Sequence, residues 1–204
     1  MDAERVSAGE LDALRAAFGV DCGNGSGSGA DGDGAGGNGD AGGGSSALGW
    51  AGVRRFEAEH GVLLPEPYRT FVAEVADGSA LGPPEYGLAP LGADAGQNGG
   101  RKRELARPFP LTEGWVWEDD PRPAAQIEPL LDRVFGDGSV VLGTDGCGMY
   151  WHLVLSGPHR GQVWLITGEG AVPFGAEFGH TGGAAGFAGW VRHWAADRPW
   201  FDED

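Results

Sequence analysis

The sequence contains little cysteine. Cys22 and Cys147 are the only two cysteines in 204 residues, too few and too poorly placed to form a disulfide framework. This usage is typical of proteins in a reducing compartment, so we expect a cytoplasmic protein.

Long apolar runs are also missing. No stretch approaches the ~18 consecutive apolar residues that a membrane-spanning helix needs. The first residues, Met-Asp-Ala-Glu-Arg, contain neither the basic region nor the apolar region of a secretory signal. The sequence therefore predicts neither secretion nor insertion into a membrane.

Basic residues are scarce relative to acidic ones. Lysine and arginine together number 14 against 30 aspartates and glutamates, which gives a net charge of −16. Binding to phosphate groups depends on lysine and arginine, so we expect no nucleic-acid or anionic membrane surface. An acidic chain would instead favour a basic protein partner, although acidic surfaces are also common aids to solubility.

The chain divides into three parts by composition. Residues 23–46 contain no aliphatic or aromatic side chain larger than alanine, and such a segment cannot offset the entropy cost of ordering its backbone. We predict an N-terminal amphipathic helix within residues 1–21, a Gly-rich flexible linker over 22–47, and a folded domain over 48–204.

The N-terminal helix has a recognisable start and an apolar stripe. Ser7 and Glu10 have the spacing of a capping box, and Leu11, Leu14 and Phe18 follow on one helical face. A helix of about three turns is marginal alone in water. It must dock on the domain, bind a partner or fray, and we expect docking.

Two short amphipathic helices are predicted to begin the domain. Helical spacing relates Trp50, Val53 and Phe56 in the first, and Arg55, Glu57 and Glu59 are predicted on its solvent side. The second starts near Pro65 or Pro67 and ends at Asp77-Gly78, where glycine can adopt the left-handed conformation. Its apolar stripe consists of Tyr68, Phe71, Val72 and Val75.

Strands are predicted at residues 88–91 and 108–117, followed by a short helix over 127–135. From Ser139 the pattern changes to a period of two. It predicts a central hairpin whose next strand is 163–166. A last helix carries Phe187, Trp190, Val191 and Trp194, and Trp200 and Phe201 are a candidate apolar clasp. The fold class is therefore α+β, a mostly antiparallel sheet flanked by helices.

Catalytic and metal-binding patterns are weak throughout. Cys147 lies on a glycine-flanked turn near His152, but an extended strand between them would hold the two side chains apart; the simpler interpretation is a turn in which Asp145 bonds its own backbone. The five histidines show no zinc-ligand spacing. Residues 32–37 match a GxGxxG pattern with no strand or helix around it, and the aspartates there do not fit a calcium loop. We predict no catalytic residues, no metal and no cofactor.

The segment from Trp115 to Asp120 is the candidate partner-binding site. Trp115 and Trp117 have the same strand parity and lead into Glu118, Asp119 and Asp120. Aromatic anchors beside an acidic rim suit a basic protein partner. The alternative interpretation is a strand end followed by a solvated turn.

Several loose patterns, in order, resemble one protein family. The chain resembles the SMI1/KNR4 family, or SUKH superfamily, over roughly residues 48–196. The segments that carry the resemblance are WAGVRRFEAEHGVLLPEPYRTFVAEVADG (50–78), YGL (86–88), RPFPLTEGWVW (107–117), VVLGTDGCGMYWHLVL (140–155) and GQVW (161–164).

The resemblance implies a binding protein rather than an enzyme. Bacterial members are implied to be immunity proteins that neutralise a cognate toxin, often a nuclease, by occluding it. Eukaryotic relatives are implied to be regulators, so a regulatory or scaffold protein is one alternative. A small thiol enzyme using Cys147 is another. The sequence specifies neither the toxin nor the oligomeric state, and the helix and linker before residue 48 lie outside the family pattern.

Overall fold

A computed structural model describes residues 6–20, 46–93, 103–175 and 186–198. Five helices lie within these ranges. They are α1 (Ala8–Ala17), α2 (Gly49–His60), α3 (Tyr68–Glu74), α4 (Ala124–Gly136) and α5 (Phe187–Ala195). None of these described helices has the length and apolar character required to cross a membrane.

Five strands form one antiparallel sheet. They are β1 (Trp115–Val116), β2 (Ser139–Gly146), β3 (Met149–Val154), β4 (Val163–Ile166) and β5 (Gly170–Pro173), and their spatial order is β1-β5-β4-β3-β2. The last four strands follow each other as hairpins, and only β1 reaches the sheet from earlier in the chain. This arrangement confirms the predicted α+β fold and the central hairpin.

The sheet separates two hydrophobic cores because alternate strand residues point to opposite faces. The larger core brings β3 residues such as Trp151 and Leu153 against α1, α2, α3 and α5. The smaller core brings Val154, Trp164 and Ile166 against α4. Each face is therefore covered by helices, which explains why the central strands have few polar residues.

Helix α1 lies against α3 and α5. Ser7 caps it by accepting a hydrogen bond from the Glu10 amide at 3.2 Å, as the capping box predicts. Leu14 and Phe18 are buried, and the Phe18 ring centroid lies 4.9 Å from that of Phe71 in α3. The expected docking on the domain is therefore observed. The division into residues 1–21, 22–47 and 48–204 stays a prediction, because most of the linker lies outside the described residues.

One predicted surface residue is in fact buried. Glu57 was expected on the solvent side of α2, but it is only 6% exposed. Its Oε1 accepts hydrogen bonds from Nε of Arg69 at 2.7 Å and from the Leu64 amide at 2.9 Å. Periodicity was misleading here because an ion pair with Arg69 makes burial of a carboxylate tolerable.

Two predicted strands are much shorter than expected. Residues 88–91 contribute one bridge, between Leu88 and Ser79, and residues 108–117 form a strand only at Trp115–Val116. Prolines at 90, 108 and 110 lack the amide hydrogen that a strand ladder needs. The backbone therefore could not continue the pairing over either predicted strand.

The remaining helices agree with the sequence. The helix expected over residues 127–135 is α4, and the apolar positions of the last helix lie on α5, where Phe187, Trp190 and Val191 are buried. Gly78 adopts the left-handed conformation at φ 86°. The suggested clasp of Trp200 and Phe201 lies outside the described residues.

Candidate protein interface

The predicted partner-binding segment forms the edge of the sheet and the turn after it. Trp115 pairs with Ala171 of β5, and Val116 pairs with Gly170. The Trp117 amide then donates to the Glu169 carbonyl at 2.9 Å. The segment is therefore attached to the sheet on one side and ends in the exposed pair Glu118 and Asp119.

Trp115 is held by its neighbours and is partly exposed. Its Nε1 donates to Oδ2 of Asp120 at 2.8 Å, and the Arg122 guanidinium stacks over its ring at 5.1 Å from the centroid. Packing on both the polar and the aromatic side limits the freedom of the indole. A partner would meet a side chain that is already ordered.

Asp120 is committed to contacts within the chain. Arg122 donates to it from Nε at 2.8 Å and from Nη2 at 2.7 Å, a bidentate pair. The Arg122 side chain, the Arg122 amide and the Trp115 indole together hold the pKa of Asp120 well below its usual range. Asp120 thus positions Trp115 and Arg122 and does not present a free charge.

Trp117 lies inside the smaller core. It is 7% exposed, its Nε1 donates to the Gly168 carbonyl at 2.6 Å, and its ring lies edge-on to Trp115 at 5.3 Å. Its place in the predicted site is therefore to support Trp115 from below. The strand parity shared by the two tryptophans was read correctly, since both face α4.

The outward surface includes residues that the sequence did not single out. Val116, between the two tryptophans, is 58% exposed. Glu113 and Glu169 are also exposed, and Glu169 comes from the turn before β5. The pairing of β1 with β5 brings Glu169 close to Glu118, a proximity that the 50 intervening residues conceal in the sequence. Within the described ranges, Glu113, Glu118, Asp119 and Glu169 form no ion pair.

We call this set the acidic rim: the exposed carboxylates of Glu113, Glu118 and Asp119, within three residues of Val116 in the chain, and of Glu169, next to the β5 partner of Val116. A groove of about 300 Å³ adjoins it, between residues 110–115 and α4. Arg122 and Arg133 also line the groove, but each is paired with an aspartate, Asp120 and Asp137 respectively. The surface therefore combines an apolar centre with a surplus of negative charge.

The Cys147 turn does not form a catalytic pair. The thiol is exposed at the tip between β2 and β3, and Cys147 adopts φ 49°. His152 is 1% exposed, and its Nδ1 lies 2.9 Å from Oγ of Ser139, at the far end of the hairpin. Burial, with a smaller contribution from the Arg103 charge, lowers the pKa of His152 to about 3. This imidazole is enclosed and is no base for the exposed thiol.

The turn is also built differently from our prediction. Asp145 does not bond its own backbone; its carboxylate accepts from the Glu85 amide at 2.8 Å and from Nε1 of Trp151 at 2.6 Å. The hydroxyl of Thr144 supports the turn instead, by accepting from the Gly146 amide at 2.9 Å. Asp145 thus ties the loop before Tyr86 to the hairpin.

The described part of the chain has no candidate metal site. It contains no group of three or more histidine, cysteine, aspartate or glutamate side chains that could hold a metal ion. The GxGxxG match at residues 32–37, the neighbouring aspartates and Cys22 lie outside the described residues.

Comparison with known proteins identifies the family. A search of the curated proteins found no significant match, and neither did a search of the solved structures. A family model matches residues 51–180, which is more than half of the chain and includes the whole sheet. It is the model of the SMI1 / KNR4 family (SUKH-1), in agreement with the resemblance read from the sequence. The chain therefore belongs to the SMI1/KNR4 family.

Proposed function

We propose that this protein is a non-enzymatic binding protein of the immunity type, which neutralises a basic toxin domain by covering it. The SUKH family is known for immunity proteins and is generally non-enzymatic. An inhibitor of this kind needs no reactive group. It needs a complementary surface with charges opposite to those of its target.

The observation that carries the proposal is the acidic rim around Val116. Its four carboxylates have no basic partner among the described residues, whereas the nearby Asp120 is neutralised by Arg122. Unpaired charges surrounding an apolar centre match the usual composition of a protein interface, with a polar rim and a less polar core. A cationic nuclease domain is the kind of toxin that this surface fits.

The test uses the purified chain as bait for the toxin-like product of a neighbouring reading frame, or for a lysate of the organism that encodes it. We expect one basic partner, whose association rate with Glu118→Lys/Asp119→Lys falls about tenfold or more at low salt, because opposite charges steer encounter. Surface plasmon resonance at two salt concentrations measures the rate. Asp120 is left intact because its substitution would also release Trp115.

The matched control is Glu59→Lys/Glu85→Lys, which makes the same change of charge at exposed positions on α2 and in the loop after α3. An equal loss in the control and in the rim variant would show that total charge matters and that the rim does not. Capture of several cellular partners with no basic toxin among them would favour the regulatory or scaffold alternative.

A further inference from the structure

Strand β1 has an unpaired outer edge. In an antiparallel ladder, the residue after a hydrogen-bonded pair directs its N–H and C=O away from the partner strand. Trp117 donates to Glu169 across the β1–β5 pairing, so the backbone groups of Val116 point to the other side. Gly170, the residue opposite Val116, also directs its backbone away from the β1–β5 pairing. Its carbonyl accepts a hydrogen bond from the Thr167 amide at 2.8 Å and therefore points away from β1.

The backbone N–H and C=O of Val116 have no hydrogen-bond partner in the described part of the chain. The Val116 side chain is exposed as well. Along this edge the groove of about 300 Å³ has Leu111, Trp115 and Leu130 among its lining residues. A strand laid beside β1 would gain backbone hydrogen bonds, and an apolar side chain from it could enter the groove.

Charge decides which strand can occupy the edge. Two copies of this chain pairing antiparallel through β1 would bring the glutamates that flank it, Glu113 and Glu118, towards each other, and like charges facing each other destabilise a pair of strands. A strand with lysine or arginine at alternate positions would instead meet the acidic rim with opposite charge. The edge thus discriminates against self-association and in favour of a basic segment.

We propose that β1 accepts an extended basic segment of the partner protein as a sixth strand of the sheet. This inference rests on the proposed function and specifies how the same surface binds. The backbone of Val116 supplies the hydrogen bonds, the groove takes an apolar side chain, and the acidic rim selects basic residues at the alternate positions.

The probe is a fluorescent hexapeptide of alternating arginine and valine with blocked ends, titrated with the full chain and followed by anisotropy. Two analogues carry N-methyl groups on the amides of either the arginines or the valines. A strand pairs through one of its edges, so we expect one analogue to bind at least tenfold more weakly than the other. Equal binding by both analogues would overturn the proposal.

The protein variants are Val116→Pro and Val116→Thr. Proline is tolerated where a strand's N–H faces solvent, so the fold is expected to persist, which thermal unfolding checks. We expect Val116→Pro to weaken the peptide at least tenfold, and Val116→Thr, which retains the amide, to weaken it less than threefold. Absence of peptide binding to the unaltered chain would overturn the proposal.

The two proposals can fail separately. If Glu118→Lys/Asp119→Lys abolishes peptide and toxin binding while Val116→Pro changes neither, strand addition is wrong and the acidic rim stands as the binding surface. If the toxin binds the rim variant and Val116→Pro as tightly as it binds the original protein, the proposals for the rim and for the strand edge are both wrong. Loss of binding in both variants supports both proposals.

Discussion

Glu57 shows how one buried carboxylate can fix the arrangement of two helices. It joins α2 to the start of α3 through Arg69 and through the Leu64 amide. Burial alone raises the pKa of Glu57, but the hydrogen bonds from Arg69 and Leu64, with the Arg69 charge, outweigh burial and lower it. The carboxylate is therefore ionised in the folded protein, and its partners depend on that charge.

We predict that Glu57→Gln lowers the free energy of unfolding by about 2 kcal/mol, because it leaves a half-buried arginine without its counter-charge. Urea denaturation measures the difference. The control is Glu59→Gln on the exposed side of the same helix, which should stay within ~0.5 kcal/mol of the original protein. Equal effects at the two positions would mean that the ion pair contributes no stability.

The burial of His152 predicts that the free energy of unfolding depends on pH. The unfolded chain takes up a proton at this residue below its ordinary pKa of 6.5, whereas the folded chain does so only near 3. Acidification between those values therefore favours unfolding, and the loss from pH 7 to pH 5 should be about 2 kcal/mol. Glu57 and Asp120 also lose their stabilising effect in acid, but below their ordinary pKa values of 4.5 and 3.8.

The measurement compares urea denaturation at pH 7 and pH 5 for the original protein and for His152→Asn. Asparagine keeps a polar group within reach of Ser139 but does not titrate. The variant should lose about 2 kcal/mol less than the original on acidification. An identical loss in both proteins would assign the pH dependence to other groups.

At the scale of elements, α1 is attached to the domain through the buried side chains of Leu11, Leu14 and Phe18. Phe18 contacts Phe71, and its ring lies 5.9 Å from that of Trp194. It also packs so closely on Gly82 that a Cβ there would collide with it. Two ion pairs, Arg15–Glu74 at 3.6 Å and Arg192–Glu10 at 3.8 Å, add little because they are long and partly exposed to solvent.

We predict that Phe18→Ala detaches α1 while the sheet persists, since truncating a buried aromatic costs about 3–5 kcal/mol and a ten-residue helix is not stable alone. Hydrogen exchange should become faster for amides 8–17 and stay unchanged in β3 and β4. Ala13→Ser, at an exposed position of the same helix, serves as control. Faster exchange throughout the chain would show that α1 and the sheet unfold as one unit.

The periodicity of apolar residues predicted the helices and the central hairpin, because it shows which side of each helix or strand faces the core. It could not predict where strand pairing stops, which depended on prolines 90, 108 and 110. Nor could it predict contacts between residues far apart in the chain. The burial of Glu57 depends on its ion pair with Arg69, and Asp145 accepts a hydrogen bond from the Glu85 amide. Glu169 lies near Glu118 only because β1 pairs with β5. The sequence predicted the aromatic and acidic character of the site, but it did not predict which residues support the site and which are exposed.

For the whole molecule, the surplus of acid is spread over both parts of the chain. Residues 1–47 carry eight acidic and two basic residues, and residues 48–204 carry 22 and twelve. Several arginines of the domain are engaged in ion pairs, as Arg69, Arg122 and Arg133 show. The field around the molecule is therefore negative, which favours encounter with positively charged molecules and leaves the choice of surface to local geometry.

The boundary of the family and the boundary of the folded unit do not coincide. The family model begins at residue 51, yet Phe18 fills a hollow formed by Phe71, Gly82 and Trp194. A recombinant fragment that begins at residue 51 would lack Phe18 and would expose the apolar surface around Phe71, Gly82 and Trp194 to water. The fragment would then aggregate, and the aggregation could be mistaken for an intrinsic property of the family domain. Supplying residues 1–21 as a separate peptide would then act as a solubility factor in trans.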